Sequence, residues 1–354
     1  MGLKILHSAD WHLDSPFGSV GEADRAFLRQ ESRRIPSLIA QLCRREHCDL
    51  MLLSGDLFDG AYTAESLTEL REALKYAGVP VLIAPGNHDP LGPDSPWERE
   101  KFPENVHIFP AGISHVDFPE LDARVYGAGY TGMDCPPLLE GFHAEPGFRY
   151  RIGVFHGDAV TPNSPCCPIT GTQVRESGLS YLALGHIHRA DGFRAGQTLC
   201  AWPGCPMGRG WDETGEKGVL LVTLGEDAGV RPVSLGLPGF FSQKVPIGDD
   251  PIRAAEALLP PGGQDSFYRL TLTGRGNVDM DALKRHFSRY PRLEFLDRTA
   301  PVPDLAALSG TETLSGVLFG KLLALSREPE MKETALLAAQ ITADILDGRE
   351  VELP

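Results

Sequence analysis

Five short stretches in the first half of the chain carry the residue types that do chemistry: Ala9-Asp10-Trp11-His12, Ser54-Gly55-Asp56-Leu57-Phe58-Asp59, Pro85-Gly86-Asn87-His88-Asp89, His156-Gly157-Asp158 and Gly185-His186-Ile187-His188. Each follows a short apolar run, at 4–7, 50–53, 81–84, 151–155 and 181–184. Sites in α/β sheets form beyond the carboxyl ends of strands, and glycine beside the polar group lets the chain turn there. Five of the eleven histidines (His12, His88, His156, His186 and His188) fall in these turns. The other six, His7, His47, His107, His115, His143 and His286, read as solvent-facing or hydrogen-bonded residues.

Such a gathering of polar groups is costly unless a cation compensates it, and Asp10 and Asp56 repel as bare carboxylates. Seven donors, Asp10, His12, Asp56, Asn87, His156, His186 and His188, suit a pair of divalent ions. Asp10-x-His12 places two side chains on one side of an extended segment, and His186-x-His188 does so from an opposite strand. Asp56 can bridge, and Asn87 adds a neutral carbonyl oxygen. Oxygen and imidazole without thiolate point to Mn, Fe or Zn. Two such ions about 3.5–4 Å apart clamp a phosphoryl group during displacement.

The elements that must position these turns alternate. Helical periodicity at 22–47 and 64–77 separates the first three apolar runs, giving strand, helix, strand, helix, strand. Shorter β segments at 198–202, 218–224 and 230–235 read as hairpin-like strands completing a second sheet. The expected fold is α/β: a two-sheet β-sandwich flanked by helices, with a smaller α+β capping domain and C-terminal helices. Leu237-Pro238-Gly239 marks a break. Beyond it come a strand (243–247), a helix (251–259), a strand (267–273), a helix (279–288) and a strand (293–297). Pro301-Val302-Pro303 then introduces helices at 311–326 and 332–346, whose apolar stripes could pack on their own domain or dock a partner. The expected division is 1–238 catalytic, 239–300 capping and 301–354 helical.

The 354 residues carry 33 Lys+Arg against 48 Asp+Glu, a net charge of −15, which argues against unaided, tight, non-specific nucleic-acid binding. No apolar run reaches the roughly 18–20 residues that span a bilayer, and the N-terminus lacks a signal-peptide pattern. Seven cysteines without a C-x-x-C pair suggest reduced thiols, so a cytoplasmic, membrane-free protein is expected. Gly210–Lys217 lacks the spacing of a nucleotide-binding loop, so any ATPase activity must come from a partner.

In order, the motifs D-x-H, G-D, G-N-H-D, H and G-H-x-H resemble the calcineurin-like metallophosphoesterase superfamily. His7–Leu13 and Ser54–Asp59 resemble its SbcD/Mre11 nuclease branch, and 201–222 (containing WPGCPMGRGWDETGEKGVLLV) is similar to YhaO-type bacterial DNA repair exonucleases. The resemblance covers roughly residues 1–300. It implies that Asp10, His12, Asp56 and His188 hold one ion and Asp56, Asn87, His156 and His186 the other, with Mn2+ first and Fe, Zn or Mg as alternatives. It also implies that His88 faces the scissile phosphate, to stabilise the transition state or protonate the leaving oxygen, with Asp89 orienting it. Asp59 stands where some relatives have His and receives no role. Trp11, Arg189 and Arg209, with Arg175 and Arg194 nearby, flank the motifs as substrate contacts. The implied activity is water-driven, in-line cleavage of DNA by a 3′–5′ exonuclease and/or single-strand endonuclease. The implied assembly is a homodimer with an SbcC/Rad50-like coiled-coil ATPase. A small-molecule phosphodiesterase using the same centre is the alternative; a vestigial scaffold is a third reading.

Overall fold

A computed structural model describes residues 2–348 except 162, 227 and 249; the final residues of the expected 301–354 segment lie outside it. The strands are β1 (Leu3–Ser8), β2 (Leu50–Leu53), β3 (Val81–Ile83), β4 (Val106–Ile108), β5 (Ser114–Phe118), β6 (Ala123–Gly127), β7 (Tyr150–His156), β8 (Tyr181–Gly185), β9 (Asp191–Ala195), β10 (Thr198–Trp202), β11 (Gly218–Leu224), β12 (Gly229–Ser234), β13 (Phe240–Pro246), β14 (Phe267–Thr273) and β15 (Leu293–Asp297). They form two six-stranded sheets, ordered β12-β11-β1-β2-β3-β4 and β5-β6-β7-β8-β10-β9, and a three-stranded sheet β13-β14-β15.

The two large sheets face each other, and the apolar runs have side chains for both faces. In β2, Leu50 and Leu52 enter the inter-sheet core with Leu3, Ile5, Ile152, Val154, Tyr181 and Ala183. Met51 and Leu53 point the other way, into a core shared with Leu28, Ile39, Leu70 and Leu74. Helix Ala64–Ala77 supplies Leu70 and Leu74; it is capped by Thr63 at its start and ends at Gly78 in the left-handed conformation. A third core covers the far face of the second sheet, where Phe155, Leu182, Leu184 and Trp202 meet Ile169 and Val174. The fold is thus a helix-flanked two-sheet sandwich, as the alternation of elements implies.

Three details differ from the sequence reading. The expected helix at 22–47 is two helices, Glu22–Ser32 and Ile35–Arg45. Pro36 accounts for the break, because it has no N–H to bond back to Ser32 at the end of the first helix and is tolerated in the first turn of the second. Second, β11 and β12 do not complete the second sheet; β11 pairs antiparallel with β1 and extends the first. Third, β4, β5, β6 and β9 were not anticipated.

The chain divides into two compact units, 1–242 with 265–267, and 243–264 with 268–354. The boundary falls beyond Gly239 because Phe240 stacks on Phe267, ring centroids 4.5 Å apart, inside the first unit. Residues 301–348 share the second unit with 268–300 rather than standing apart. Within it, Leu305, Phe319, Leu322 and Ala339 make a small core, and Arg275 pairs with Asp344.

Candidate metal centre

The ends of β1, β2 and β3 in one sheet and of β7 and β8 in the other open onto the same place, so five turns converge. The first two are zipped together: Asp10 N donates to Gly55 O, His12 N to Asp56 O and Leu13 N to Leu57 O, at 2.9–3.0 Å. Asp10, His12, Asp56 and His186 carry positive φ values of 54°, 45°, 52° and 90°. Asp10-x-His12 is therefore not the extended segment expected from its spacing; left-handed turns aim the side chains. Such residues cost about 1–3 kcal/mol each and persist only where their surroundings fix them. Glycine makes the approach close enough. A Cβ on Gly86 would strike the Asp56 carboxylate, and one on Gly185 would strike the Ser54 carbonyl oxygen.

Three sets of donor atoms lie mutually within 4.8 Å: Asp10 with His12 and His188; Asp10 with Asp56 and His156; and His12 with Asp56 and His88. His12 Nε2 is 3.2 Å from His188 Nε2 and 3.7 Å from Asp56 Oδ2. His156 Nε2 lies 3.3 Å from Asp56 Oδ2 and 2.9 Å from Asn87 Oδ1. The His186 ring meets that of His156 edge-on, centroids 5.2 Å apart, and its backbone N–H donates to Asp10 Oδ1. All seven expected ligands thus surround one buried space, with His186 outside the three tightest sets.

The outer partners matter as much as the donors. His12 Nδ1 is 3.1 Å from Asp59 Oδ1, His188 Nδ1 2.7 Å from Glu213 Oε1, and His156 Nδ1 2.8 Å from the Ser54 carbonyl oxygen. Each contact holds a proton on Nδ1 and turns a bare Nε2 inward, the arrangement that metal-binding histidines adopt. Asp10 Oδ2 is buried with no hydrogen-bond partner. An orphaned oxygen on a carboxylate grouped with His12, His188 and His156 is a fit for a cation.

Electrostatics agree. Burial lowers the affinity of His12 for a proton, and burial together with His156 does the same for His186. Although burial opposes it, the charges of Asp56 and Asp10 push His156 up to about 9, and His156 in return holds Asp56 well below the usual carboxylate range. The carboxylates attract positive charge into this space.

Asp89 does not orient His88. Its Oδ1 accepts from Gly86 N and Asp56 N, its Oδ2 from Leu57 N and Phe58 N, so the carboxylate staples two turns from behind. Burial, then the Asp56 charge, push it up to about 7. The group beside His88 is Asp59, with Oδ1 3.0 Å from His88 Nδ1. Hydrogen bonds from His12 and His88 hold the Asp59 carboxyl well below its ordinary range, and Asp59 in turn raises His88. Trp11 is no substrate contact: it is buried in the core, and Nε1 donates to Ser8 Oγ. Arg189 is exposed and lies 3.6 Å from Asp191. Arg209 does reach the centre, its Nη2 3.1 Å from His188 Nδ1 and 2.7 Å from Glu213 Oε1. Asp59 and Glu213 are the positions beside the candidate donors that sequence reasoning did not assign. Asp59's signals were its place three residues after Asp56 and the His that some relatives have there, and Glu213's was its presence in the 201–222 segment.

The model of the calcineurin-like phosphoesterases matches residues 3–190, and the chain belongs to that family, which uses a pair of divalent ions. Its relatives lie in the SbcD/Mre11 branch. The "uncharacterized metallophosphoesterase YhaO" of Bacillus subtilis (strain 168) is 33% identical over 62% of this chain and 57% of its own length. The SbcD component of the SbcCD nuclease from the same strain is 25% identical over 66% of this chain and 70% of its own. The "DNA double-strand break repair protein Mre11" of Aeropyrum pernix is 35% identical over 24% of this chain and 21% of its own. The match to YhaO thus takes in little more than half of that relative.

Proposed function

We propose that the chain is a dinuclear metal-dependent phosphodiesterase that acts as a DNA nuclease in repair. The observation that carries the metal chemistry is the inward-facing Nε2 set of His12, His156 and His188 around Asp56 and the orphaned Asp10 oxygen. Asp10, His12, Asp56 and His188 would hold one ion, and Asp56, Asn87, His156 and His186 the second. When bound, divalent ions lower the pKa of water and offset charge on phosphoryl oxygens. His88 would act on the substrate. Its side chain is 41% exposed, Asp59 occupies Nδ1, and Nε2 is left for a phosphate or leaving-group oxygen. Because Asp59 raises its pKa, His88 keeps a proton to donate. Arg209 would add a positive charge beside the same space.

The DNA assignment rests on relatives named as nucleases and on the motif wording at 7–13 and 54–59. By the same analogy a coiled-coil ATPase of the SbcC/Rad50 type would be the partner, and the chain would work as a homodimer in the cytoplasm. Exposed Leu314, Val317, Leu318, Ile345 and Leu346 on the last two helices offer an apolar surface for that partner. A pull-down should recover it, and deletion of 311–346 should abolish recovery. The net charge of −15 favours a small-molecule phosphodiester instead. A metal-by-substrate panel decides: Mn2+-dependent degradation of end-labelled DNA, lost in His88→Ala with metal retained, supports the nuclease. Hydrolysis of an aryl phosphodiester with no DNA cleavage under any metal would replace it with the small-molecule enzyme.

A further inference from the structure

At the opposite ends of the same strands lies a second concavity. β7 runs from Tyr150 to His156, about 20 Å at ~3.3 Å per residue. Tyr150 and Arg151 therefore sit a full strand length from the metal centre. There they line a cavity of about 640 Å³ with Arg149, Arg175, Arg194 and the apolar side chains of Leu179, Leu199 and Leu224; among the described residues Glu226 is its one acidic group. Four arginines converge on it in a chain of net charge −15. Among the described residues none of the four pairs with a carboxylate through its guanidinium; Arg194 Nη1 makes one long contact, 3.4 Å, to Gln197 O. Arg149 lies over the Tyr150 ring, 5.1 Å from its centroid. Two polar atoms of the wall, Tyr150 Oη and Arg151 Nε, are buried with no hydrogen-bond partner.

We propose that this cavity is a binding site for an organic phosphate of nucleotide size, separate from the metal centre. Like charges repel, and with Glu226 the one acidic group of the described wall, the four guanidiniums leave positive charge that an anion would offset. Guanidinium forks match phosphate oxygens two at a time. The volume falls in the range of small-ligand pockets, and the leucines with the Tyr150 ring provide apolar wall for a base or other organic moiety. The orphaned Tyr150 hydroxyl and Arg151 Nε are the kind of groups a bound oxygen relieves. This proposal stands apart from the nuclease reading, since no metal ligand touches the cavity.

The test is calorimetric titration of the full chain, stripped of metal by chelation, with ADP and separately with pyrophosphate. One ADP per chain is expected, with affinity falling as salt rises and binding more tightly than pyrophosphate. Arg175→Ala and Arg194→Ala are exposed changes and should each weaken ADP about tenfold, with thermal unfolding unchanged. Tyr150→Phe should weaken it less, and His88→Ala should leave it unaltered. Equal affinity for ADP and pyrophosphate would overturn the organic half of the assignment. No binding of either probe, or binding insensitive to Arg175→Ala and Arg194→Ala, would overturn the site.

Discussion

At the residue scale the two aspartates near His88 have opposite fates, and their conservative variants should separate them. Asp59→Asn keeps the shape but removes the charge that raises His88 and fixes the His12 ring. We expect the rate to fall roughly 10–100-fold, as for other partners of metal-site histidines. The alkaline limb of the pH–rate profile should move to lower pH, because a less basic His88 loses its proton sooner. An unchanged rate and profile would mean that Asp59 takes no part in the chemistry. Asp89→Asn should act on stability instead, since one amide oxygen cannot accept from all four backbone N–H groups that the two carboxyl oxygens serve. A loss of about 2–4 kcal/mol in urea unfolding is expected, a buried donor left without a partner costing ~1–3 kcal/mol. Adjacency in sequence favoured Asp89 over Asp59 as the partner of His88, and Trp11 between two ligands as a substrate contact. Neither reading could see that Asp89 turns back onto the chain's own amides or that Trp11 enters the core. The cluster of candidate donors was legible because each sits where an apolar run stops. Glu213 was not, because its pairing with His188 depends on how the loop after β10 returns.

At the element scale the site is a product of two sheets whose strands end together, and glycine sets the spacing. Gly185→Ala drives a methyl into the Ser54 carbonyl across the sheets, and Gly86→Ala drives one into the Asp56 carboxylate. The first should lower the melting temperature, by several degrees for an overpacking cost of about 1–3 kcal/mol. The second should chiefly weaken metal binding, read as a higher dissociation constant for Mn2+. If Gly86→Ala binds metal like the parent, Asp56 is not held where its role requires. Strands buried on both faces, such as β2 and β8, announce themselves as unbroken apolar runs. β5 and β9 are largely exposed or half-buried and mix polar with apolar residues, so their pattern is weak. The hairpin of β11 and β12 was visible, but its pairing with β1 joins residues more than 200 positions apart, which no local pattern encodes.

At the scale of the whole molecule, the centre is bolted to the core through His7, which is fully buried between Tyr181 Oη at 2.8 Å and Ser54 Oγ at 2.9 Å. Burial lowers its pKa to about 3 from 6.5, so the folded chain keeps it neutral while the unfolded chain protonates it. Between those values the unfolded state binds one more proton, and stability is lost as pH falls, by about 1.4 kcal/mol per unit from this group. Denaturant midpoints of the metal-stripped protein at pH 6.5 and 4.5 should therefore drop more in the parent than in His7→Gln; equal drops would mean His7 does not titrate in this window. The pair of cations proposed for the space where the five turns meet is the central claim, and anomalous diffraction from crystals grown with Mn2+ tests it directly. Two peaks are predicted, on either side of the Asp56 carboxylate, one beside His12 and His188 and one beside Asn87 and His156. A single peak, or peaks away from Asp56, would contradict it.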